Sequence, residues 1–241
     1  MSKKVFIQIP AYNEEMSIAD VLKELPRSIP GFDVVIEILV INDGSTDKTV
    51  DVVKHHERGV HILNFAANQG LGVAFRAGLE FALSHGADVI INTDGDNQYS
   101  SEQIKDIAAP ILSGRADVVI GNRRLLRVAK YPKHKLISQT LGNLFISMLF
   151  LFRVRDATSG FRAFSKEAAA LLVSQLENKY TYTIESLCVL LKKKMQVVFV
   201  PISISYPTRT SRLIKSKIVY VKNFVTTALK IKVEKQYGRH S

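Results

Sequence analysis

Cysteine is almost missing from this 241-residue chain: Cys188 stands alone. That excludes an intramolecular disulfide framework and any zinc site built on cysteine. A lone thiol suits a reducing compartment and reads as a small buried hydrophobe. Long apolar runs are scarce as well. Met1-Ser2-Lys3-Lys4 leads into a strand-like segment too short for the apolar core of a signal peptide, so a cytoplasmic start is expected. The longest stretch without charge, residues 136–152, is at the short limit for a bilayer span and is interrupted by Ser138, Gln139, Thr140, Gly142, Asn143 and Ser147. No crossing of the membrane is expected. Glycine-rich phosphate signatures are also lacking: no G-x-G-x-x-G follows the first strand and no G-x-x-x-x-G-K-[ST] occurs, which argues against a dinucleotide-binding Rossmann enzyme and a P-loop NTPase. There is no internal repeat, low-complexity segment or convincing linker.

What is present is an ordinary globular composition with a basic excess. Hydrophobic residues make up 46% and charged residues 23%, enough for a sizeable core and far from disorder or a coiled coil. Lys and Arg number 33 against 22 Asp and Glu, a formal +11. Such a charge attracts nucleic acid, anionic lipid or an anionic substrate without choosing among them. At about 150 residues per domain the chain is one large domain, or a domain with a tail. We divide it into a catalytic-size domain over residues 1–210 and a basic helix or tail over 211–241. That tail has weak amphipathic spacing at Ile214, Ile218, Val221 and Val225.

Residues 4–9, 34–41, 60–65, 87–93 and 116–120 are short runs rich in Val and Ile, bounded by Gly, Asn, Asp or Pro, and read as buried strands. Segments with helical spacing lie between them, such as Ile18/Val21/Leu22/Leu25 and Ile104/Ile107/Ile111. Ser100 and Gln103 have the spacing of a capping box. Past residue 121 the pattern predicts a basic stretch, the apolar run, a turn-rich 156–162, helices over 166–176 and 184–194, and a strand over 197–204. The fold class is therefore α/β, a mainly parallel, Rossmann-like sheet built from right-handed βαβ units with helices on both faces.

In such sheets ligands gather at the carboxyl ends of the strands. Four consecutive strand ends carry polar clusters: Pro10-Ala11-Tyr12-Asn13-Glu14-Glu15, Asn42-Asp43-Gly44-Ser45-Thr46-Asp47, Asn68-Gln69-Gly70 and Asp94-Gly95-Asp96-Asn97-Gln98. Any one of them fits an ordinary turn; four in a row point to a site. In an extended segment Asp94 and Asp96 face the same way, with Gly95 allowing close approach and Gln98 continuing the face. Such oxygen ligands suit Mg²⁺ or Mn²⁺ with positions left for substrate phosphates. Asp43 is placed to accept a hydrogen bond from a base N–H, and Tyr12 offers an aromatic face near it.

Taken in order, Ile9 to Glu14, Val40 to Asp47, Asn68-Gln69-Gly70, Asp94 to Gln98, Gly121-Asn122-Arg123 and Thr158-Ser159-Gly160-Phe161-Arg162 resemble the motifs of family 2 glycosyltransferases with a GT-A fold. Within that family the chain is most similar to the polyprenyl-phosphate (dolichol-phosphate) hexosyltransferases. The resemblance covers roughly residues 4 to 210. It implies that Pro10, Tyr12, Glu14 and Asp43 surround the base and ribose of a nucleotide-sugar donor, and that Asp94, Asp96 and Gln98 hold a divalent cation on the diphosphate. Asn42 departs from the pattern, since many relatives have a first Asp there. Arg123 is expected to reach the donor or the acceptor phosphate. Arg162 and Arg209 are further cations whose guanidinium forks suit phosphate, whereas Arg124 and Arg127 read as a solvated face.

The acceptor is approached through the base it needs. A sugar hydroxyl must lose a proton as it attacks, so a positioned carboxylate is required; a lipid phosphate is already an anion. The Glu-Asp pair frequent in hydroxyl-transferring relatives is here Glu185-Ser186. Glu185 then reads as a binding or ordering residue, with a general base as the alternative. The run at 136–152 carries a broad apolar stripe, Ile137, Leu141, Leu144, Phe145, Met148 and Phe152, beside a narrow polar one, Gln139, Asn143 and Ser147. Arg127, Lys130, Lys133 and Lys135 just before it tip the reading toward an anionic membrane surface. The expectation is an inverting, metal-dependent hexosyltransferase acting on a polyprenyl phosphate, peripheral at the cytoplasmic membrane face. A glycan or lipopolysaccharide hydroxyl acceptor is the alternative, and nucleotidyltransfer ranks lower because strand one lacks a Gly-rich, Arg-containing loop. A nucleic-acid-binding module is disfavoured because the aromatics do not interleave with the basic residues.

Overall fold

The computed structural model describes residues 2–128, 131–177, 181–204 and 217–233; the side chains of residues 127, 217 and 218 also lie outside the description. A seven-stranded sheet forms its middle, in the order β3-β2-β1-β4-β6-β5-β7. β1 (Lys3–Ala11) pairs in parallel with β2 (Val34–Asn42) on one side and β4 (Val89–Asn92) on the other, and β3 (Val60–Asn64) extends the β2 edge. β5 (Val118–Asn122) and β7 (Val197–Pro201) are parallel to each other. β6 (Arg162–Ser165) runs antiparallel to both β4 and β5 and joins the two sets. The five early strands stand where their Val- and Ile-rich runs place them. β6 was not anticipated: its four residues follow a turn and offer no period to read.

Alternation along β1 divides the core. Val5, Ile7 and Ile9 pack on one face with α1 (Ile18–Glu24), α2 (Thr49–Lys54) and α4 (Ile104–Leu112). Phe6 points to the other, under α3 (Leu71–Ser84), α6 (Lys166–Gln175) and α7 (Tyr182–Lys192). Buried on both faces, the strand has to be apolar at nearly every position. Gln8 is the exception, fully buried and hydrogen-bonded to Asn92 and to the Phe75 carbonyl.

Two outer helices complete the second face. α5 (Lys133–Phe150) has Ile146 as its one fully buried residue, and α8 (Lys217–Val233) packs against α7 and α5. The face that α8 buries is Phe224, Ala228 and Ile231; of the expected stripe, Val225 packs partly against the core while Val221 is 55% exposed. Ile214 lies outside the described residues. Phe224 lies so close to Gly142 that a Cβ there would meet its ring at 3.1 Å, which explains a glycine within α5. Residues 217–233 form a helix whose Phe224, Ala228 and Ile231 join the core of this face.

The Ser100 capping box does not form. Ser100 makes no side-chain cap, and Gln103 instead clasps the backbone of Ser203, donating from Nε2 to its carbonyl at 2.9 Å and accepting its N–H on Oε1 at 2.6 Å.

Candidate functional site

The strand order reverses between β1 and β4, so the crevice at their carboxyl ends is the place for a ligand. The loops after β1 and β2 meet there and are stitched together. The Asn13 N–H donates to Ser45 Oγ and the Asn13 Oδ1 accepts from Thr46; the Glu14 N–H donates to Thr49 Oγ1 and the Glu15 N–H to Asp47 Oδ2. Asn13 takes a left-handed conformation, φ 55°, to do so. Ser17 ties this pair of loops to the next by donating from Oγ to the Gly95 carbonyl at 2.7 Å, within reach of Glu14 Oε2 at 3.0 Å. Much of the polar sequence at these strand ends therefore builds the rim. Tyr12 is 39% exposed on it, and Pro10 is buried beneath.

Asp43 has a definite task in the rim. Its Oδ1 accepts the Gln69 N–H at 2.6 Å and its Oδ2 the Gly70 N–H at 2.9 Å, which fastens the 66–70 turn to the end of β2. Burial pushes its carboxyl above the usual range, against the pull of those two N–H groups. Gly44 permits the arrangement: its φ is +70°, and a Cβ there would fall 2.5 Å from the Ala67 carbonyl carbon. Each carboxylate oxygen keeps one lone pair for a further donor.

Asp94 follows the carboxyl end of β4 and is half-buried. Burial, then the charge of Asp96 and that of Glu14, push its carboxyl up to about 7, with Arg123 working the other way. The segment is a turn and not the extended stretch expected: Asn97 is left-handed at φ 57°, and the Gln98 N–H caps Asp96 Oδ1 at 3.1 Å. Gly95 is not required for close approach, since a Cβ there would meet only ordinary contacts at 3.6 Å and beyond. The tight glycine is Gly160. A Cβ on it would stand 3.2 and 3.4 Å from the two Asp94 oxygens and 3.5 Å from the Tyr182 hydroxyl. Behind it a buried chain runs from Gln8 Nε2 to Asn92 Oδ1 at 3.0 Å and from Asn92 Nδ2 to the Gly160 carbonyl at 2.9 Å. Gln8 and Asn92 were missed, although a polar residue inside an otherwise apolar strand was a visible signal. Among the described residues no group of three or more metal-ligating side chains stands together. Asp94, whose charge Asp96 and Glu14 both disfavour, nevertheless fits a hard cation that takes few protein ligands and keeps positions for water and phosphate.

The arginines divide sharply. Arg123 directs its fork into Asp156, Nε to Oδ2 at 2.8 Å and Nη2 to Oδ1 at 2.7 Å, and Nη2 also donates to Thr158 Oγ1 at 2.7 Å. Burial opposes its charge, but Asp156 outweighs burial and holds the guanidinium above its ordinary value. Asp156, 3% exposed, is a partner that the turn-rich reading of its segment did not pick out. Arg162 corrects an expectation outright. It is fully buried, and it donates from Nε to the Ser159 carbonyl, from Nη1 to the Thr183 carbonyl and Ser186 Oγ, and from Nη2 to the Ala157 carbonyl. Loss of solvent pulls it down to about 10. It braces the start of β6 against α7 and has no access to a phosphate. Arg124 is exposed, as a solvated face requires, while Arg209, Lys130 and the Arg127 side chain lie outside the described residues.

Glu185 is 4% exposed, and its Oε1 accepts the Glu177 N–H at 2.6 Å, so it orders the end of α6. Cys188 is fully buried, its thiol pushed up to about 12 by burial. On the outside of α5 the apolar stripe is open to solvent: Ile137, Leu141, Leu144 and Met148 are 53–62% exposed. Phe145 and Phe152, expected on the same stripe, turn partly into the core. No described helix is long and apolar enough to cross a membrane.

Comparison with known proteins follows the same lines. The model of the family described as "Glycosyl transferase family 2" matches residues 6–172. The chain is 32% identical over 224 residues to "UDP-N-acetylglucosamine--dolichyl-phosphate N-acetylglucosaminyltransferase" of Methanococcus voltae, covering 85% of this chain and 86% of that one. It is 28% identical over 207 residues to "Undecaprenyl-phosphate mannosyltransferase" of Micrococcus luteus, covering 83% of each. Among solved structures, glucosyl-3-phosphoglycerate synthase from Mycobacterium tuberculosis in complex with UDP superposes with a TM-score of 0.71 over 98% of this chain and 82% of that one. At 18% identity that likeness is one of fold, the GT-A arrangement of a mostly parallel mixed sheet with flanking helices.

Proposed function

The chain belongs to glycosyl transferase family 2, and from that premise we propose that it transfers a hexose, with inversion, from a nucleoside-diphosphate sugar to a polyprenyl phosphate at the cytoplasmic face of a membrane. The observation that carries the acceptor is the open apolar stripe of α5, Ile137, Leu141, Leu144 and Met148, next to the exposed Lys133 and Lys135. Apolar and basic groups side by side bind an anionic lipid surface more strongly than either does alone. The named relatives of Methanococcus voltae and Micrococcus luteus, a dolichyl-phosphate and an undecaprenyl-phosphate transferase, support the same class of acceptor.

In this reading Tyr12 stacks on the donor base, and Asp43, its 69–70 partners in place, accepts from a base N–H with a remaining lone pair. Pro10 and Glu14 complete the base and ribose wall. Asp94 and Asp96, with Gln98 beside them, hold Mg²⁺ or Mn²⁺ against the diphosphate. Solved complexes of the mycobacterial synthase contain Mn²⁺ with UDP, which supports the metal. A bound cation neutralises the charge that builds on the departing diphosphate, the largest charge to develop in the transition state. Arg123 adds its own charge to the same end. The acceptor's phosphate oxygen attacks the anomeric carbon from the face opposite the leaving diphosphate. Because that oxygen is already an anion, no base is needed, and Glu185 remains an ordering residue.

The test is a donor screen. UDP, GDP and dTDP sugars are offered with Mn²⁺ and a polyprenyl phosphate in anionic vesicles, and release of the nucleoside diphosphate is measured. Release that depends on the lipid phosphate is the expected result. Full-rate transfer to a water-soluble glycan, indifferent to vesicles and lost in Glu185→Gln, overturns the lipid-phosphate reading in favour of a hydroxyl acceptor with Glu185 as base.

A further inference from the structure

α5 has one fully buried residue, Ile146, which is little for a helix of 18 residues. Beside the partly buried Phe145, Leu149 and Phe150, its inner side carries a row of polar side chains four apart. Gln139 Nε2 donates to Thr158 Oγ1 at 3.3 Å. Asn143 donates from Nδ2 to the Arg155 carbonyl and accepts the Ala157 N–H on Oδ1, both at 2.9 Å. Ser147 Oγ accepts the Val154 N–H at 3.0 Å. Residues spaced by four lie one above another on a helix, so the row forms a zipper along a single segment, residues 154–158. That segment also holds Arg123: Asp156 takes the Nε–Nη2 edge of its guanidinium with two bonds, and Thr158 Oγ1, the atom that Gln139 grips, takes a further bond from Nη2. The seat of α5 and the seat of Arg123 are one turn.

We propose that Gln139, acting through Thr158, and Asn143, acting through the backbone beside Asp156, are positioning residues for Arg123, so that α5 sets the direction in which this cation meets the phosphate. The proposal rests on the reading that Arg123 serves a phosphate in the reaction. Asp156 supplies the charge that keeps the guanidinium in place, but a single carboxylate leaves the planar fork able to tilt about its Asp156 contact. Thr158 is the second point that stops the tilt, and its hydroxyl is held in turn by Gln139. Asn143 fixes the backbone on either side of Asp156, at 155 and 157. A fork displaced by about 1 Å loses much of its effect on a developing charge. The apolar stripe of α5 lies on the face away from this zipper, so a lipid surface met by that stripe rests on the helix that aims Arg123.

The experiment compares Thr158→Val, Thr158→Ser, Gln139→Ala and Asn143→Ala, alone and in an Arg123→Ala background. Each is measured for turnover, for affinity toward the nucleoside diphosphate with Mn²⁺ by calorimetry, and for melting temperature. Thr158→Val and Asn143→Ala are expected to fall about tenfold to a hundredfold in kcat and to weaken the nucleotide affinity. Thr158→Ser is expected to stay within about threefold, and the losses should vanish once Arg123 is gone. A structural role alone leaves the losses undiminished in the Arg123→Ala background and overturns the proposal, as does wild-type turnover in Thr158→Val. Wild-type turnover in Arg123→Ala overturns the phosphate role of Arg123 itself. Should Asn143→Ala fail to fold, the Thr158 pair decides alone, since Thr158→Val keeps shape and removes one oxygen.

Discussion

Arg162→Met separates two accounts of the same cation. The side chain is fully buried and its donors meet the carbonyls of Ala157, Ser159 and Thr183 and the hydroxyl of Ser186. Methionine fills much of the space and supplies no donor. The Thr183 carbonyl keeps a partner, because Ser186 Oγ already lies 3.2 Å from it. The carbonyls of Ala157 and Ser159 are left bare, and a buried polar group without a partner costs about 1–3 kcal/mol. Two of them give about 2–6 kcal/mol, and relief of the desolvated charge offsets part of that, so a loss of about 3 kcal/mol is expected. Urea unfolding of the wild type and the variant measures it. Calorimetry with nucleoside diphosphate and Mn²⁺, below the variant's melting range, should give an affinity within about threefold of wild type. A variant as stable as wild type that no longer binds the nucleotide would refute the reasoning, and would return Arg162 to the phosphate-binding set.

Asp96→Asn should abolish turnover with the fold intact, because an amide cannot neutralise a cation on a diphosphate; full activity of the folded variant in EDTA is the contrary result. Gly160→Ala should press on the Asp94 carboxylate, 3.2 Å from the added carbon, and weaken Mn²⁺ affinity at least tenfold while the melting temperature stays near that of wild type, as followed by electron paramagnetic resonance. Asp43→Ala removes the acceptor of two N–H groups; a stability loss of about 1–3 kcal/mol and weaker donor binding with unchanged metal dependence are expected, to be read by urea unfolding and calorimetry. The chain should sediment with anionic vesicles and be largely released by salt, since exposed charges are screened within about 8–10 Å. Leu141→Asp should lower the salt-resistant remainder, and equal residual sedimentation of the variant speaks against α5 as the contact.

The strands β1, β2, β4 and β5 were legible because a strand buried on both faces is apolar nearly throughout, and Asn, Asp and Gly mark its ends; β3, at the edge and only half-buried, showed through its Val and Ile content. The place where the polar clusters gather was legible for the same reason, since βαβ order sends those strand ends to one edge. Partners far apart in sequence were not. Gln103 has a capping spacing, yet the group it meets is Ser203. Arg162 stands in a motif next to the site, but which way it points depends on β6 running antiparallel, and four residues carry no sign of that. The polar stripe of Gln139, Asn143 and Ser147 was plain on a helical projection; that residues 154–158 would lie against it follows only from the folded chain. Asp156, the partner of Arg123, sits in a segment whose composition says turn and nothing more.

The antiparallel β6, made after both its neighbours, also sets when β4 can gain its second partner during synthesis. β4 and β5 follow each other in the sequence but never touch; each pairs with β6 between them. The half-sheet β3-β2-β1-β4 is complete once residue 92 has emerged, and its β4 edge then waits until residue 165 is made. At about 5–20 residues per second that wait is roughly 4–15 s. During it the Val-Ile-Ile edge of Val89–Asn92 has unpaired backbone groups on offer, and an edge of that kind recruits other strands. The brevity of β4, four residues, limits what a wrong strand can gain there. Slowing translation between codons 93 and 165 should lower the soluble yield, and slowing it after codon 201, when all seven strands of the described sheet have been made, should not.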